Sequence, residues 1–224
     1  MKVRILSKLV AILFMTINVT GQSFNLRAGL GLTKQLDKDN SRIYSENYCN
    51  KFSLNAGFTY ENLVNGKTFI EYGLGIESKG FQVANQSTNV RVKISPIYVH
   101  APILLKFTQP FKNKIRFYEN IGIYAAYGIG GKLKIGDYDF DSKEAQSINW
   151  GKEVSEDYKP LDFGLTFGVG MENDKIQYGL LYDLGMANIS PTSTDGNVIR
   201  NRALKFYFGI KVAKKKATDS PPLK

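Results

Sequence analysis

The stretch Leu161–Ile189, LDFGLTFGVGMENDKIQYGLLYDLGMANI, constrains the fold more than any other part of the chain. Side chains alternate between the two faces of a strand. On the first half of this stretch Leu161, Phe163, Leu165, Phe167, Val169 and Met171 share one face, and Asp162, Gly164, Thr166, Gly168, Gly170 and Glu172 share the other. On the second half Ile176, Tyr178, Leu180, Tyr182, Leu184 and Met186 oppose Gln177, Gly179, Asp183, Gly185 and Ala187, with Leu181 out of pattern. A soluble sandwich buries its bulk and shows its charges. Here the second face is small and polar, so it must lie against something close. Bulk facing outward with small and polar residues inside is the pattern of a membrane-spanning barrel.

The same alternation recurs along the chain. It predicts strands over Phe24–Lys34, Lys51–Glu61, Lys67 to about Phe81, Ile97–Phe107, Ile115 to about Lys132, and Arg202–Ala213. With the opening pair that makes eight, and their connections alternate long and short. Outer-membrane barrels have short periplasmic turns, longer outer loops and strands of about 10 residues. Asn65-Gly66 and Asn173-Asp174 mark two of the tight turns. Pro102 interrupts the fourth strand and predicts a bulge there, and Glu119 falls on the apolar row of the fifth. The stretch Leu133–Pro160 reads as the longest polar loop and holds the only tryptophan, Trp150. Tyr60, Tyr178 and Tyr182 are candidates for interfacial girdles. No segment carries a helical period of useful length.

The fold class expected is therefore all-β: an eight-stranded antiparallel up-and-down transmembrane β-barrel. The N-terminus, MKVRILSKLVAILFMTINVTGQ, has a basic start, an apolar run too short for an anchor, and small residues before Gln22. This predicts a signal peptide over residues 1–21, the barrel over 22–213, and a basic, disordered periplasmic tail over 214–224. The formal charge is +10, but in an exported chain a basic balance points away from nucleic acid. The one cysteine, Cys49, cannot form an internal disulfide.

The inward rows carry the residues that could do chemistry. Arg27, Glu61, Glu71, Glu77, His100, Lys106, Asp162, Glu172, Asp183, Lys205 and Lys211 all face the lumen by alternation. Unpaired buried charges are costly, so a structural polar network is expected. Its core is Arg27, Glu71, His100, Lys106, Asp162, Glu172, Asp183 and Lys205. Acids of the third, sixth and seventh strands would pair with bases of the first, fourth and eighth. No catalytic, cofactor-binding or metal-binding residue is assigned. His100 is the only histidine and faces inward, which argues against a rim hydrolase and a multi-histidine metal site. Asp137, Asp139 and Asp141 begin like a calcium loop, but Ser142 and Ile148 stand where it needs glycine and an acid. The Gly-x-Gly pairs, such as Gly73/Gly75, lie within strands and not before a helix, so they are not phosphate loops.

Three segments, IYVHAPILLKF (Ile97–Phe107), ENIGIYAAYGIGGKL (Glu119–Leu133) and LDFGLTFGVGME (Leu161–Glu172), resemble the PorT-like outer-membrane β-barrel proteins of Gram-negative bacteria. These are similar in turn to the small OmpX- and OmpA-type barrels. The most specific part is Tyr98-x-x-x-Pro102-x-Leu104-Leu105-Lys106, in which Pro102 becomes a family feature. His100 stands where that motif would carry an acid, and the chain does not end on an aromatic residue. The resemblance implies location in the cell outer membrane and carries no catalytic residue. The expected function is non-enzymatic, in envelope structure or surface interaction through the outer loops. An accessory role in a secretion system, and a barrel lipid-modifying enzyme, are the alternatives. The expected partners are outer-membrane lipids and a protein met by the outer loops or basic tail, with no cofactor and a monomeric barrel.

Overall fold

The computed structural model describes residues 22–85, 90–137 and 142–215. The leader 1–21, Asp139 and Asp141 of the acidic run, and the tail from 216 onward lie outside the described residues. The strands are β1 (Gln22–Lys38), β2 (Lys51–Asn65), β3 (Thr68–Ser78), β4 (Phe81–Asn85), β5 (Val90–Lys112), β6 (Ile115–Asp137), β7 (Ser142–Ser147), β8 (Leu161–Glu172), β9 (Ile176–Gly185) and β10 (Val198–Lys215). Two short 3-10 turns, Tyr44–Asn47 and Thr194–Gly196, sit in the connections.

Eight of these strands close a ring. β1 pairs with β2 and β10, β3 with β2 and β5, and β5–β6, β6–β8, β8–β9 and β9–β10 complete the circuit, all antiparallel. β4 and β7 stand outside it, flanking β5 and β6 at one end. Neither is among the strands that alternation predicts; β7 falls within the stretch Leu133–Pro160 that reads as loop. β5 and β6 each run for 23 residues, roughly 75 Å of extended chain. A hydrocarbon layer is about 30 Å thick, so this hairpin projects far beyond it. The projecting part, widened by β4 and β7, forms a small four-stranded sheet beyond the wall.

The three short turns lie at one end, hereafter the turn end. Asn173 Oδ1 accepts from the N–H groups of Lys175 (2.8 Å) and Ile176 (2.9 Å), which holds the β8–β9 turn. Asn113 and Lys114 both have positive φ and make the β5–β6 turn, the backbone geometry of a type I′ hairpin. The four longer connections occupy the opposite, loop end.

The exposure pattern is inverted relative to a soluble protein. Leu54 (64% exposed), Ile123 (56%) and Ile210 (52%) point outward, while Lys106, Glu71 and Asp162 are fully enclosed. Phe24 and Phe58, and Tyr60 and Tyr72, form outward ring pairs near the turn end with centroids 5.7 and 5.6 Å apart. Tyr178 is also outward there, opposite Met171. Tyr182 differs from expectation: it pairs with Phe167 in the middle of the wall. Glu119 is outward, between Phe107 and Val169.

Pro102 makes no bulge. The ladder to β3 skips its level, passing from Tyr72–Ile103 to Gly75–His100 in unchanged register. Pairing with β6 runs on through Pro102–Tyr124. Proline lacks one N–H, and that N–H serves only one neighbour, so one ladder is interrupted and the other kept. The bulge lies instead at Ile129, between Gly128 and Gly130.

Glycine sets how close the lumen side chains can come. A Cβ on Gly170 or Gly179 would run into the phenol of Tyr118. Tyr118 is fully buried and its hydroxyl lies 2.5 Å from that of Tyr207. Gly170→Leu is therefore expected to destabilise the barrel by about 1–3 kcal/mol through overpacking. Equilibrium urea unfolding in lipid bilayers, followed by tryptophan emission and gel shift, would check it.

Candidate functional site in the barrel lumen and its mouth

The inward row of β1 brings Arg27 to Glu71 of β3, with both guanidinium nitrogens 2.5 Å from carboxylate oxygens. Such paired bonds are among the strongest side-chain contacts. Arg27 also donates to Gln177 Oε1 at 3.0 Å and lies 4.6 Å from the centre of the Tyr207 ring. Next to it, Lys106 donates to Glu61 at 2.6 Å and to Glu172. Lys211 reaches Glu172 at 2.9 Å, and Arg116 bridges Glu172 and Asp174. Toward the turn end, four bases thus meet four acids.

A second cluster lies toward the loop end. Lys205 donates to Asp183 at 2.6 Å and to Glu77 at 3.0 Å. Lys79 lies 3.0 Å from Glu77 and 3.1 Å from Asp162, over the face of Tyr124. Thr166 donates to Asp183 at 2.9 Å. His100 Nε2 is 3.3 Å from Asp183 and 3.8 Å from Glu77. Between the clusters is a cavity of about 70 Å³ lined by Arg27, Asn55, Glu71, Glu77, His100 and Lys205. That is room for a few waters, not for a substrate.

Glu77, His100 and Asp183 have ligand atoms within 4.8 Å of one another and so could be read as a metal site. The two lysines decide against it. Both carboxylates already hold an ammonium at 2.6–3.0 Å. A divalent ion would add charge beside cations that already neutralise the acids.

The structure places Arg27, Glu71, Lys106 and Glu172 in or beside the turn-end cluster, and His100, Asp162, Asp183 and Lys205 in the loop-end cluster. Several acid–base links follow the strand pairing expected; Glu61 of β2 is an additional acid. Sequence reasoning left out Lys79, which is 1% exposed. It shares the parity of Glu77, and that was the available signal. It sits where the strand ends before Gly80, whose φ of +105° turns the chain.

The mouth is closed by the connection that reads as a featureless polar loop. Ile148 and Tyr158 pack with Ala187 and Ile189 from the β9–β10 connection. Trp150 packs edge-on against Tyr98 at 5.2 Å, 78° between planes. Its ring lies on Gly128, where a Cβ would collide with it. The plug is tied downward by a chain of hydrogen bonds. Tyr158 donates to Gln35 (3.0 Å), Gln35 to Asn201 (2.9 Å), and Asn201 to Asp162 (3.0 Å).

The match to known proteins decides the family. Residues 20–190 match the model described as outer membrane protein beta-barrel domain. The chain belongs to this family. It resides in the cell outer membrane. Among solved structures, this outer-membrane barrel is similar to Ail, the attachment invasion locus protein of Yersinia pestis (12% identity, 86% of this chain, 99% of that chain, TM-score 0.38). It is similar also to Neisserial surface protein A (9%, 84%, 96%, 0.42) and to OprG from Pseudomonas aeruginosa (12%, 86%, 96%, 0.42). No curated protein sequence matches it at a significant level.

The barrel's connections are not all loose. In the β1–β2 connection, Asp39 accepts from the Tyr44 hydroxyl at 2.6 Å and from the N–H groups of Ser41 (2.6 Å) and Arg42 (2.7 Å). The Tyr44 hydroxyl first, then these N–H groups, hold the Asp39 carboxyl below the usual carboxylate range. A depressed folded value adds order that is complete above the unfolded value, about pH 4. That order is lost as pH falls through the folded value. Amide exchange at Ser41 and Arg42 is expected to accelerate only below about pH 4, after correction for intrinsic rates.

Proposed function

We propose that this barrel is a non-enzymatic surface protein, oriented with its turn end in the periplasm and its loop end outside. The projecting β4–β5–β6–β7 sheet carries this reading. Among the described residues, a lumen filled by ion pairs and a mouth closed by Trp150 and Tyr158 leave only the cavity of about 70 Å³ inside. What remains available to a partner is the structured material at the loop end. The sole histidine points into the loop-end charge cluster and not to a rim, which speaks against a lipid hydrolase.

The PorT-like motif does not favour the secretion alternative. Tyr98, Leu104 and Lys106 are fully enclosed in the lumen, so the motif marks how the wall packs and not a docking face. Lys214 and Lys215 are paired in β10, so deletion of residues 216–224, with an assay of exported proteins, separates the two roles without cutting the wall. Unchanged export supports the surface reading, and lost export supports the accessory one. The surface reading itself is tested by a cysteine at Glu144 in a Cys49→Ser background. Labelling of intact cells by an impermeant maleimide is expected; labelling only after the outer membrane is breached would refute the orientation.

A further inference from the structure

On the β1–β10 seam the outward face changes character within one step. Leu26, Leu30 and Leu32 of β1 and Leu204, Phe206 and Phe208 of β10 are 44–50% exposed, as a lipid-facing wall requires. The next outward positions toward the loop end are Lys34 and Arg202, directly paired across the seam. One step further Leu36 pairs with Arg200. Among the described residues none of these three cations forms an ion pair, and both arginines are exposed. A guanidinium pair at the edge of a hydrocarbon layer is suited to phosphate, which it can meet with two parallel bonds.

Directly below this basic step the wall is hollowed. Ala28 and Ala56 face each other across β1–β2. The space their short side chains leave is a groove of about 680 Å³, flanked by Leu30, Leu54, Phe206 and Phe208. Ala28 lies six residues from Lys34, roughly 20 Å along the strand, the reach of a fatty acyl chain hanging from a headgroup. A second wall groove, of about 480 Å³, lies toward the turn end near Phe107 and Tyr182. Its acid, Glu119, is exposed and would repel phosphate, whereas the acid behind the first groove, Glu77, is buried and held by Lys79 and Lys205. Basic step and apolar groove coincide on the β1–β10 seam.

We propose that this seam binds one phosphorylated glycolipid of the outer leaflet, with its phosphate on Lys34, Arg200 and Arg202 and an acyl chain in the Ala28–Ala56 groove. The leaflet assignment rests on the orientation given above. The snorkelling reach of Lys34 and the two arginines lets their charge stay at headgroup level while their stems cover the wall.

The test is native mass spectrometry of the full chain in detergent, with three probes: bis-phosphorylated hexa-acyl lipid A, the same lipid with its phosphates removed, and inorganic phosphate. The wild-type barrel is expected to retain one bis-phosphorylated lipid and to hold the dephosphorylated one roughly tenfold or more weakly. It should hold no inorganic phosphate. Lys34→Ser/Arg200→Ser/Arg202→Ser should lose a similar factor, and Ala28→Phe should lower retention while keeping the gel shift of the folded barrel. Should Ala28→Phe not fold, the surface triple variant decides alone. Lys132→Ser/Lys134→Ser, at outward positions of β6 away from the seam, should retain the lipid fully. Equal retention of both lipids, full retention by the triple variant, or an equal loss in Lys132→Ser/Lys134→Ser would overturn the site. Lipid binding intact alongside failed surface labelling at position 144 would overturn the outer leaflet and leave the seam.

Discussion

Lys106→Met is expected to be the most damaging single substitution in the lumen. Lys106 is fully enclosed and bonded to both Glu61 and Glu172. Methionine fills similar space, so packing changes little. The loss is electrostatic: Lys211 and Arg116 still face Glu172, but Glu61 keeps cations only at 3.7 Å, Arg27 and Lys211, beside the neutral Ser23 hydroxyl that donates to it at 3.0 Å. Breaking a buried ion pair from one side costs about 3–5 kcal/mol. Removing the matching charges as well should recover much of it, so Lys106→Met/Glu61→Gln is expected to be more stable than Lys106→Met alone. Urea unfolding of wild type, Lys106→Met, Glu61→Gln and the double variant in the same bilayer, read by gel shift, measures the coupling. A Lys106→Met barrel as stable as wild type would mean that the turn-end cluster does not hold the wall together.

Trp150→Ala is expected to release the plug without unfolding the barrel. The indole bridges Tyr98 and Tyr158 and covers Gly128. Truncation of a packed tryptophan costs about 3–5 kcal/mol, here spent on local opening of residues 148–158. Amide exchange should accelerate there and at the Ile189 N–H, which bonds Ile199, while β8 and β9 stay protected. Gly128→Leu should give the same pattern from the opposite side, because the leucine takes the place of the ring. Both variants leave the ion clusters below in place, so neither is expected to pass ions in planar-bilayer recordings.

The wall was legible because a membrane imposes its solvent on every second residue. Leu161, Phe163, Leu165 and Phe167 could only face lipid once Asp162, Gly164 and Thr166 had to face inward. The same parity places ten charged side chains in the lumen, Arg27 and Glu71 among them, and Lys79 joins them there. It stopped working where the strands left the membrane. Residues 148–158 fold by contacts between Trp150, Tyr158 and the far side of the mouth, which leave no period in the sequence. β4 and β7 are held by pairing to β5 and β6, and backbone bonding does not require an apolar row. Lys79 fell at the point where a regular strand gives way to Gly80. Pro102 predicted a bulge because its missing donor was known, but which neighbour loses the bond depends on the pairing around the ring. The two alanines of the groove, one on β1 and one on β2, lie on the apolar row and look ordinary there. Only the register that sets Ala28 against Ala56 makes them a hollow.

Which face of the wall meets lipid is tested most directly on β8. Single cysteines would be placed at each position from Leu161 to Glu172 in a Cys49→Ser background, spin-labelled, and reconstituted in bilayers. Accessibility to oxygen, which concentrates in lipid, would be compared with that to a water-soluble nickel chelate. The predicted result is a two-residue alternation, with positions 161, 163, 165, 167 and 169 open to oxygen and shielded from nickel. Positions 162, 164, 166 and 168 should be shielded from both, because the lumen is filled. Nickel access at the odd positions would contradict the lipid-facing wall, and nickel access at the even ones would contradict the closed lumen.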